Sequence, residues 1–373
     1  MRIKWLLIAI STIAIVSLIF PITFVAADSL VTNMNSAQNS GQTWLEHIIS
    51  ISPEESHSWA GAYLKNGQTC YDLNGEPDAY LFAIENNGIV GHVIVGGANY
   101  GFPVFEAGES APPQIPSAQL IQSTVEKSLG LVVNLNDIGK PIKLLYLGVD
   151  SLFVLHNING NLIATNLIFG KSERYSNLKS YLAAPSEYLA HKLSVDNATS
   201  SNIGPLWPSH VEFTEMYYYR DDNNGQTQCG PCSGVSIGMH YRPSCPNLPS
   251  NYNMYNVLYN TMSAGLGFVL TGNYGPGWTQ MASYNGYYFM SSTYQNVIPS
   301  DYSNIVIPDL NSGWPSGLAC HHITGGHWRA IKGYDSSSTH FIICTDQAAQ
   351  DSRQFLNWDA LPDNFHDLVV IMH

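Results

Sequence analysis

Charged residues are scarce in this sequence, at 12% of its 373 residues, and basic residues are the scarcer kind, with 15 Lys and Arg against 28 Asp and Glu. The net charge of −13 argues against the basic stripe that a nucleic-acid-binding surface needs, so we predict no nucleic-acid partner. Cysteine is sparse as well, because six in a chain of this length are too few for a disulfide scaffold. After the N-terminal apolar run, no second run is long enough to predict a membrane span.

The first 27 residues have the pattern of a secretory signal peptide. Arg2 and Lys4 precede an apolar run, Trp5–Val25, and small residues follow at Ala26 and Ala27, where cleavage is predicted. The alternative is a retained N-terminal membrane anchor, because the run is long for a signal core. With either outcome the remaining chain is predicted to be secreted or held at the cell surface.

The chain is long enough for two domains. A Ser-, Asn-, Gly- and Pro-rich stretch at 193–208 predicts a junction between an α+β domain at 28–195 and a second domain at 205–373. In the first domain, a polar linker is predicted to lead into a helix around Trp44 to Ser50. Asn87-Gly88 and Asn159-Gly160 each separate two apolar runs, which is typical of an antiparallel hairpin.

The stretch CGPC at 229–232 opens an apolar segment with small residues, typical of a closely packed helix. A cysteine at a helix N-terminus is stabilised as thiolate by the helix dipole and the unpaired N–H groups, which prepares a nucleophile. The same four letters occur in thioredoxin-like dithiol proteins. Here a polar loop precedes them, and Gln228 stands where such proteins usually have tryptophan.

A nucleophilic thiol needs a histidine to exchange its proton and a third group to orient the ring. His327 begins one strand-like run, and Asp346 ends the next. Adjacent antiparallel strands would bring these side chains together. The residues therefore favour a Cys-His-Asp site, and Trp328 is predicted to be a core residue beside it.

With these motifs, CGPCSGVSIGMHY, GGHWRAIKGYD and FIICTDQ, the second half resembles the papain-superfamily cysteine peptidases. It is most similar to the branch of bacteriocin-leader-processing (double-glycine) peptidases, with a more distant likeness to streptopain and staphopain. The first half resembles the streptopain-like propeptides through its hairpin AYLFAIENNGIVGHVIVGG. The resemblance implies an α+β fold, in which a papain-like domain, with the cysteine helix packed on an antiparallel sheet, follows a propeptide-like α+β domain with antiparallel hairpins.

The resemblance also implies an exported cysteine endopeptidase made as a precursor, with a peptide or protein as substrate. Its own N-terminal domain would be an intramolecular inhibitor, and no cofactor or metal would be required. Catalytic roles fall on Cys229, His327 and Asp346.

Two alignments leave the choice of cysteine open. In the CGP-containing branch the first cysteine is the nucleophile, and an aromatic pair follows eleven and twelve positions later, where this chain has His240 and Tyr241. In the papain-like pattern a glutamine six residues before the nucleophile supplies an oxyanion-hole donor, and Gln226 lies six before Cys232. We take Cys229 as the nucleophile and Gln226 as the oxyanion candidate. Cys232 is the alternative nucleophile, and Asn223 holds the minus-six position relative to Cys229.

Three other functions stay open at this point. The first is a thioredoxin-like dithiol oxidoreductase using CGPC, and the second is a non-catalytic binding protein with a peptidase fold. The third is a zinc site, drawn from the set Cys229, Cys232, His321, His322 and His327, whose second half-site fails the usual spacing. The glycine- and aromatic-rich segment 261–289 is predicted to be groove wall or irregular surface. No partner is identified for His210, His240, His340 or His373.

Overall fold

The fold was analysed in a computed structural model of the chain, which describes residues 33–52, 57–97, 104–149, 151–182, 207–220, 228–264, 269–298, 300–322, 325–337, 340–348, 350–361 and 366–373. The predicted signal peptide and most of the predicted junction at 193–208 lie outside these residues.

Strands and helices alternate irregularly along the described chain, as expected for an α+β fold. The helices are α1 (Met34–Ile51), α2 (Ala118–Leu129), α3 (Tyr175–Leu182), α4 (Cys229–Tyr241), α5 (Asn251–Thr261), α6 (Thr271–Tyr284) and α7 (Ile307–Asn311). The strands before residue 180 are β1 (Tyr63–Tyr71), β2 (Pro77–Glu85), β3 (Ile89–Gly96), β4 (Val104–Gly108), β5 (Lys143–Tyr146), β6 (Leu152–Ile158), β7 (Asn161–Asn166) and β8 (Ser172–Arg174). The later strands are β9 (His210–Glu212), β10 (Met290–Tyr294), β11 (Ser316–His322), β12 (Gly325–Asp335), β13 (Phe341–Asp346), β14 (Asp351–Asn357) and β15 (His366–Met372).

These strands form one sheet across the described residues, in the order β10-β15-β11-β12-β13-β14-β4-β3-β2-β1-β5-β6-β7-β8, with β9 paired to β12. Pairing is antiparallel except between β1 and β5. The sheet passes from the second half of the chain to the first where β14 pairs with β4, with Phe355 opposite Ala107. The mixed α+β architecture with a large, mostly antiparallel sheet agrees with the predicted fold class.

Both predicted hairpins are present, and their turns have the backbone that the sequence requires. The turn between β2 and β3 contains Asn87 at φ 54° and Gly88 at φ 144°, and the turn between β6 and β7 contains Asn159 at φ 52° and Gly160 at φ 79°. Asparagine and glycine tolerate positive φ better than other residues do, so these pairs select two-residue turns that match the twist of the strands.

The first helix was predicted to start near Trp44, and this start was wrong. Helix α1 begins at Met34 and includes most of the predicted linker. Asn33 caps it, since its side chain accepts from the N–H groups of Asn35 and Ser36. Further along, the carboxamides of Gln38 and Gln42 hydrogen-bond the backbone near β1. The polar residues that made this segment resemble a linker therefore bind it to the sheet.

The second half of the chain packs helices on both faces of β11, β12 and β15, as their alternating side chains require. One face belongs to the core with α4, α5 and α6 through Ala319, Ala330 and Val369. The other face belongs to the core with α7 and the preceding helical turn through Leu318 and Val370.

The glycine- and aromatic-rich segment is not simply irregular surface, because nearly half of it forms α6. Tyr274 and Trp278 are fully buried, and the Trp278 indole donates to the Gly234 carbonyl at 3.0 Å. Pro276 lies inside this helix. Sequence propensity argued against a helix at Gly and Pro, and burial of the two aromatic rings overrides that preference.

A third core is shared by the two halves of the chain. It contains Trp44 of α1 and Trp59 from the first half, and Phe341, Ile343 and Phe355 from β13 and β14. Trp44 lies 5.6 Å from Phe341 and 5.4 Å from Phe355 between ring centroids. The first half therefore buries apolar surface of the second half, in addition to pairing with its sheet edge.

Within the described residues, the structure contains no helix with both the length and the apolar character needed to cross a membrane.

Candidate active site

Helix α4 presents Cys229 as its first residue. Gln228 precedes it in an extended conformation, so the chain turns into the helix at the cysteine. Pro231 lies in the first turn of this helix, where proline is tolerated because its missing N–H would have no intrahelical partner. Because the helix starts two residues before this proline, the Cys229 thiol lies at the positive end of the helix dipole.

His327 and Asp346 lie side by side, as the strand pattern predicts. Ala330 of β12 pairs with Thr345 of β13, so the neighbouring Asp346 lies at the end of the same ladder. His327 Nε2 is 3.1 Å from Asp346 Oδ1, and the Ala348 N–H donates to the same oxygen at 2.7 Å. A backbone N–H group therefore holds the Asp346 carboxylate in place while the carboxylate contacts the His327 ring.

The His327 ring also hydrogen-bonds the Cys229 thiol. Because Nε2 faces Asp346, Nδ1 is the ring nitrogen left to interact with the sulfur. Thiol, imidazole and carboxylate thus form one chain across α4, β12 and β13. His327 is almost completely buried, whereas Cys229 is partly exposed.

The two partners shift each other's pKa in opposite directions. Burial alone would raise the pKa of the Cys229 thiol, but the hydrogen bond and charge of His327 and the N–H groups of Trp328 and Gly230 outweigh it, so that pKa is lowered. Burial alone would lower the pKa of His327, whereas the charge of Asp346 and the two hydrogen bonds raise it to about 10. The arrangement favours a thiolate–imidazolium pair at neutral pH.

A buried arginine that the sequence analysis did not select contacts the same carboxylate. Arg329 Nη2 is 2.7 Å from Asp346 Oδ2, and Arg329 Nε donates to Gln354 Oε1 at 2.8 Å. The sequence signal was a charged residue two positions after His327 in the same strand, which places both side chains on one face.

Cys232, the alternative nucleophile, lies three residues after Cys229 in α4. It is fully buried in the core that α4 forms with α5 and α6. All six cysteines belong to the described residues, and none forms a disulfide there.

The oxyanion candidates Gln226 and Asn223 lie outside the described residues. Trp328 is a core residue, as predicted, because it stacks on Tyr274 at 4.1 Å between ring centroids and donates to the Val269 carbonyl at 3.0 Å.

An aromatic side chain from the first half of the chain covers His327. Phe169 lies in the turn between β7 and β8, and its ring centroid is 5.3 Å from that of His327. Asn166 shapes the turn, since its side-chain oxygen accepts from the N–H groups of Ile168 and Phe169 at 2.8 and 2.9 Å. No pattern in the sequence pointed to Phe169, because its role depends on a contact between distant parts of the chain.

The zinc set is not assembled among the residues whose side chains are described. No group of three or more His, Cys, Asp and Glu side chains there could hold a metal ion. The side chains of His321 and His322 lie outside that description.

The four histidines for which the sequence suggested no partner each have one. His240 contacts Glu215, His210 contacts Glu212, His340 contacts Asp359, and His373 contacts the Cys245 sulfur at 3.5 Å.

Comparison with known proteins gives a distant structural likeness. No protein-family model matches the sequence, and no curated protein matches it. Among solved structures, a mutant fragment of prointerpain A from Prevotella intermedia is similar, with 10% sequence identity and a TM-score of 0.42. The match covers 83% of this chain and 98% of that one.

Proposed function

We propose that this chain is an exported cysteine peptidase, made as a precursor, that hydrolyses peptide bonds through Cys229, His327 and Asp346. The observation that carries the proposal is the continuous chain of hydrogen bonds from the Cys229 thiol through His327 to Asp346 at the start of a helix. The lowered pKa of the Cys229 thiol supports the nucleophilic role. In this proposal the export signal is residues 1–27, removed after Ala27 or retained as an anchor.

The geometry supports acyl transfer in two steps. The Cys229 thiolate attacks the carbonyl carbon of a peptide bond, a sulfur–carbon bond forms, and the carbonyl oxygen becomes an oxyanion. The His327 imidazolium gives its Nδ1 proton to the leaving amine as the carbon–nitrogen bond breaks, which leaves a thioester. His327 then takes a proton from water, whose oxygen attacks the thioester and releases the acid and the thiolate. Asp346 keeps the His327 ring oriented in both steps.

The oxyanion would be bound at the start of α4. The first N–H groups of a helix lack intrahelical partners, and the Gly230 N–H already contacts the Cys229 sulfur. The carboxamide of Gln226 remains the candidate for a second donor.

A dithiol oxidoreductase is less compatible with this site. Such chemistry alternates a Cys229–Cys232 disulfide with two thiols, and only Cys229 would have to reach the partner disulfide, because Cys232 would attack the mixed disulfide from within the protein. Cys232 is fully buried in the helix core. The partner of Cys229 is a histidine oriented by a carboxylate, which is the requirement of acyl transfer.

The first half of the chain, 28–195, is proposed to be a propeptide-like domain that keeps the peptidase half, 205–373, latent. A substrate must reach the ring of His327, which has to protonate the leaving amine. Phe169 lies against that ring. Because the thiol and imidazole are already hydrogen-bonded beneath this cover, latency would come from blocked access and would not require a disassembled site.

The function is tested by alkylation of Cys229 with iodoacetamide across a range of pH. Since the thiol pKa is lowered and the His327 pKa is raised to about 10, thiolate and imidazolium should coexist at neutral pH, and Cys229 should react fast there. Peptidase activity should fall as the pH approaches 10, because His327 then loses the proton that the leaving amine needs. Mass spectrometry of the modified peptide identifies the cysteine. A rate that rises with a midpoint near 9, as for an ordinary thiol, would count against the proposal.

Replacement of Phe169 by alanine should open the site. The lost ring contact is worth about 1 kcal/mol, so labelling of Cys229 by a bulky peptidyl epoxide should accelerate by roughly fivefold. Iodoacetamide, which is small, should gain less. Leu162→Ala is the matched control, because Leu162 is an exposed apolar residue of β7, the strand that leads into the Phe169 turn. Equal effects of both variants would mean that the turn does not restrict access.

A further inference from the structure

Arg329 is a fully buried cation attached to the carboxylate of the proposed site. Its guanidinium contacts three strands in addition to its own, through Asp346 of β13 at 2.7 Å, Gln354 of β14 at 2.8 Å and the Cys320 sulfur of β11 at 3.4 Å. A buried charge is costly unless it is paired and hydrogen-bonded, and these contacts meet that requirement. The geometry of a planar guanidinium also fixes the direction of the ion pair more narrowly than an ammonium would.

Arg329 and His327 hold the two oxygens of Asp346 separately. His327 takes Oδ1 and Arg329 takes Oδ2. The charges therefore alternate along the row, from the Cys229 thiolate to the His327 imidazolium, the Asp346 carboxylate and the Arg329 guanidinium.

Other titratable groups surround this row. Asp351 of β14 is paired in register with Asp346, and burial together with the charge of Asp346 raises the pKa of Asp351 well above its usual value. Burial lowers the pKa of His92 of β3, which favours its neutral form. The Cys320 sulfur contacts Arg329. Among these neighbours, Arg329 and His327 place a positive charge against the Asp346 carboxylate, at 2.7 and 3.1 Å.

The charge on His327 changes during the proposed reaction, whereas the charge on Arg329 does not. Once the leaving amine has taken the proton, His327 is neutral and the sulfur is held in a thioester. Asp346 would then be a buried carboxylate whose counter-ion had disappeared, next to a second acidic residue at position 351. A carboxylate in that state either takes up a proton or pulls the proton back onto His327.

Resting on the proposed peptidase function, we propose that Arg329 is a positioning residue that holds Asp346 ionised and aligned while His327 is neutral. Its second effect is on the free enzyme. The charge of Arg329 partly cancels the pull of Asp346 on the imidazolium, so that His327 can release its proton to the leaving group. Arg329 acts through Asp346 and does not touch the substrate.

The test compares Arg329→Met, Arg329→Lys and Arg353→Met in the full chain with Phe169→Ala as the common background. Arg353 is the matched control, because it is also a buried arginine in an ion pair, but its partner is Glu212. For Arg329→Met, kcat on a peptide should fall by roughly tenfold to a hundredfold with KM changed by less than about twofold.

The alkaline limb of the pH profile of Arg329→Met should move to higher pH, since Asp346 then holds the His327 proton more tightly. Alkylation of Cys229 at neutral pH should persist, because the free site keeps its imidazolium. Arg329→Lys should restore much of kcat, and Arg353→Met should leave the alkaline limb in place.

Unchanged kcat and an unchanged alkaline limb in Arg329→Met would overturn the proposal. Loss of neutral-pH alkylation that lysine does not restore would also overturn it, since that result indicates a purely structural arginine. If Arg329→Met does not fold, Gln354→Met replaces it, because this substitution removes the partner of the Arg329 Nε. The alkaline limb of the pH profile should then move in the same direction by a smaller amount. An unmoved limb would reject the positioning role of Arg329. Alkylation needs no substrate. A chain that hydrolyses no peptide but shows the shifted alkylation profile would therefore reject the peptidase function alone.

Discussion

Cys229→Ala is expected to lower peptide hydrolysis by roughly 10^4-fold or more, because no other group in the site can form the acyl intermediate. Cys229 is the sulfur that hydrogen-bonds His327, and it is partly exposed at the start of α4. Hydrolysis of a fluorogenic peptide by the Phe169→Ala background, with and without the substitution, measures the loss. The fold should survive, since the side chain is replaced at the edge of the core.

Cys232→Ala is the matched control for that experiment. Cys232 lies three residues further along the same helix and is fully buried, so its loss leaves a small cavity and should cost about 1 kcal/mol of stability. Activity should remain within a few-fold of the parent. If Cys232→Ala abolished hydrolysis while Cys229→Ala retained it, the roles of the two cysteines would have to be exchanged. If neither substitution mattered, the Cys-His-Asp proposal would fail.

The sequence predicted those parts of the fold whose signals are local. Asn-Gly pairs predicted two hairpins, because positive φ at two successive positions is a property of the turn itself. The apolar run after CGPC predicted α4, and the strand patterns at His327 and Asp346 predicted neighbouring strands. Antiparallel pairing then brought the two side chains together without further information.

The parts that escaped prediction depend on contacts between distant residues. Helix α1 has a polar sequence because Gln38 and Gln42 bond to the backbone near β1, which periodicity cannot reveal. Helix α6 forms in spite of Pro276 because Tyr274 and Trp278 are buried. The cover at Phe169 brings together residues far apart in the chain. In each case tertiary packing overrides or adds to the local preference.

The core shared by the two halves bears directly on the precursor proposal. A segment that only blocked a groove could be removed without effect on the rest, whereas here β14 pairs with β4 and the rings of Phe341 and Phe355 pack on Trp44. Arg353 in β14 also donates to the Ser52 hydroxyl at 2.6 Å. The second half of the chain without these partners would expose an apolar patch and an unpaired strand edge, both of which promote aggregation. We therefore expect the first half to act as a folding partner as well as a cover.

Trp44→Ala should destabilise the whole chain by about 3–5 kcal/mol, the cost of removing a large aromatic side chain from a packed core. Because Trp44 packs on residues of β13 and β14, the loss should lower the stability of both halves together, and denaturant unfolding should remain one transition at a lower midpoint. Exposure of the buried thiol of Cys344 in β13, followed by alkylation across the denaturant range, reports on the second half alone. Trp207→Ala is the control, since Trp207 is 42% exposed and should change the midpoint little. Two separate transitions, with only the first moved by Trp44→Ala, would show instead that the halves fold independently and that the first half is a detachable cover.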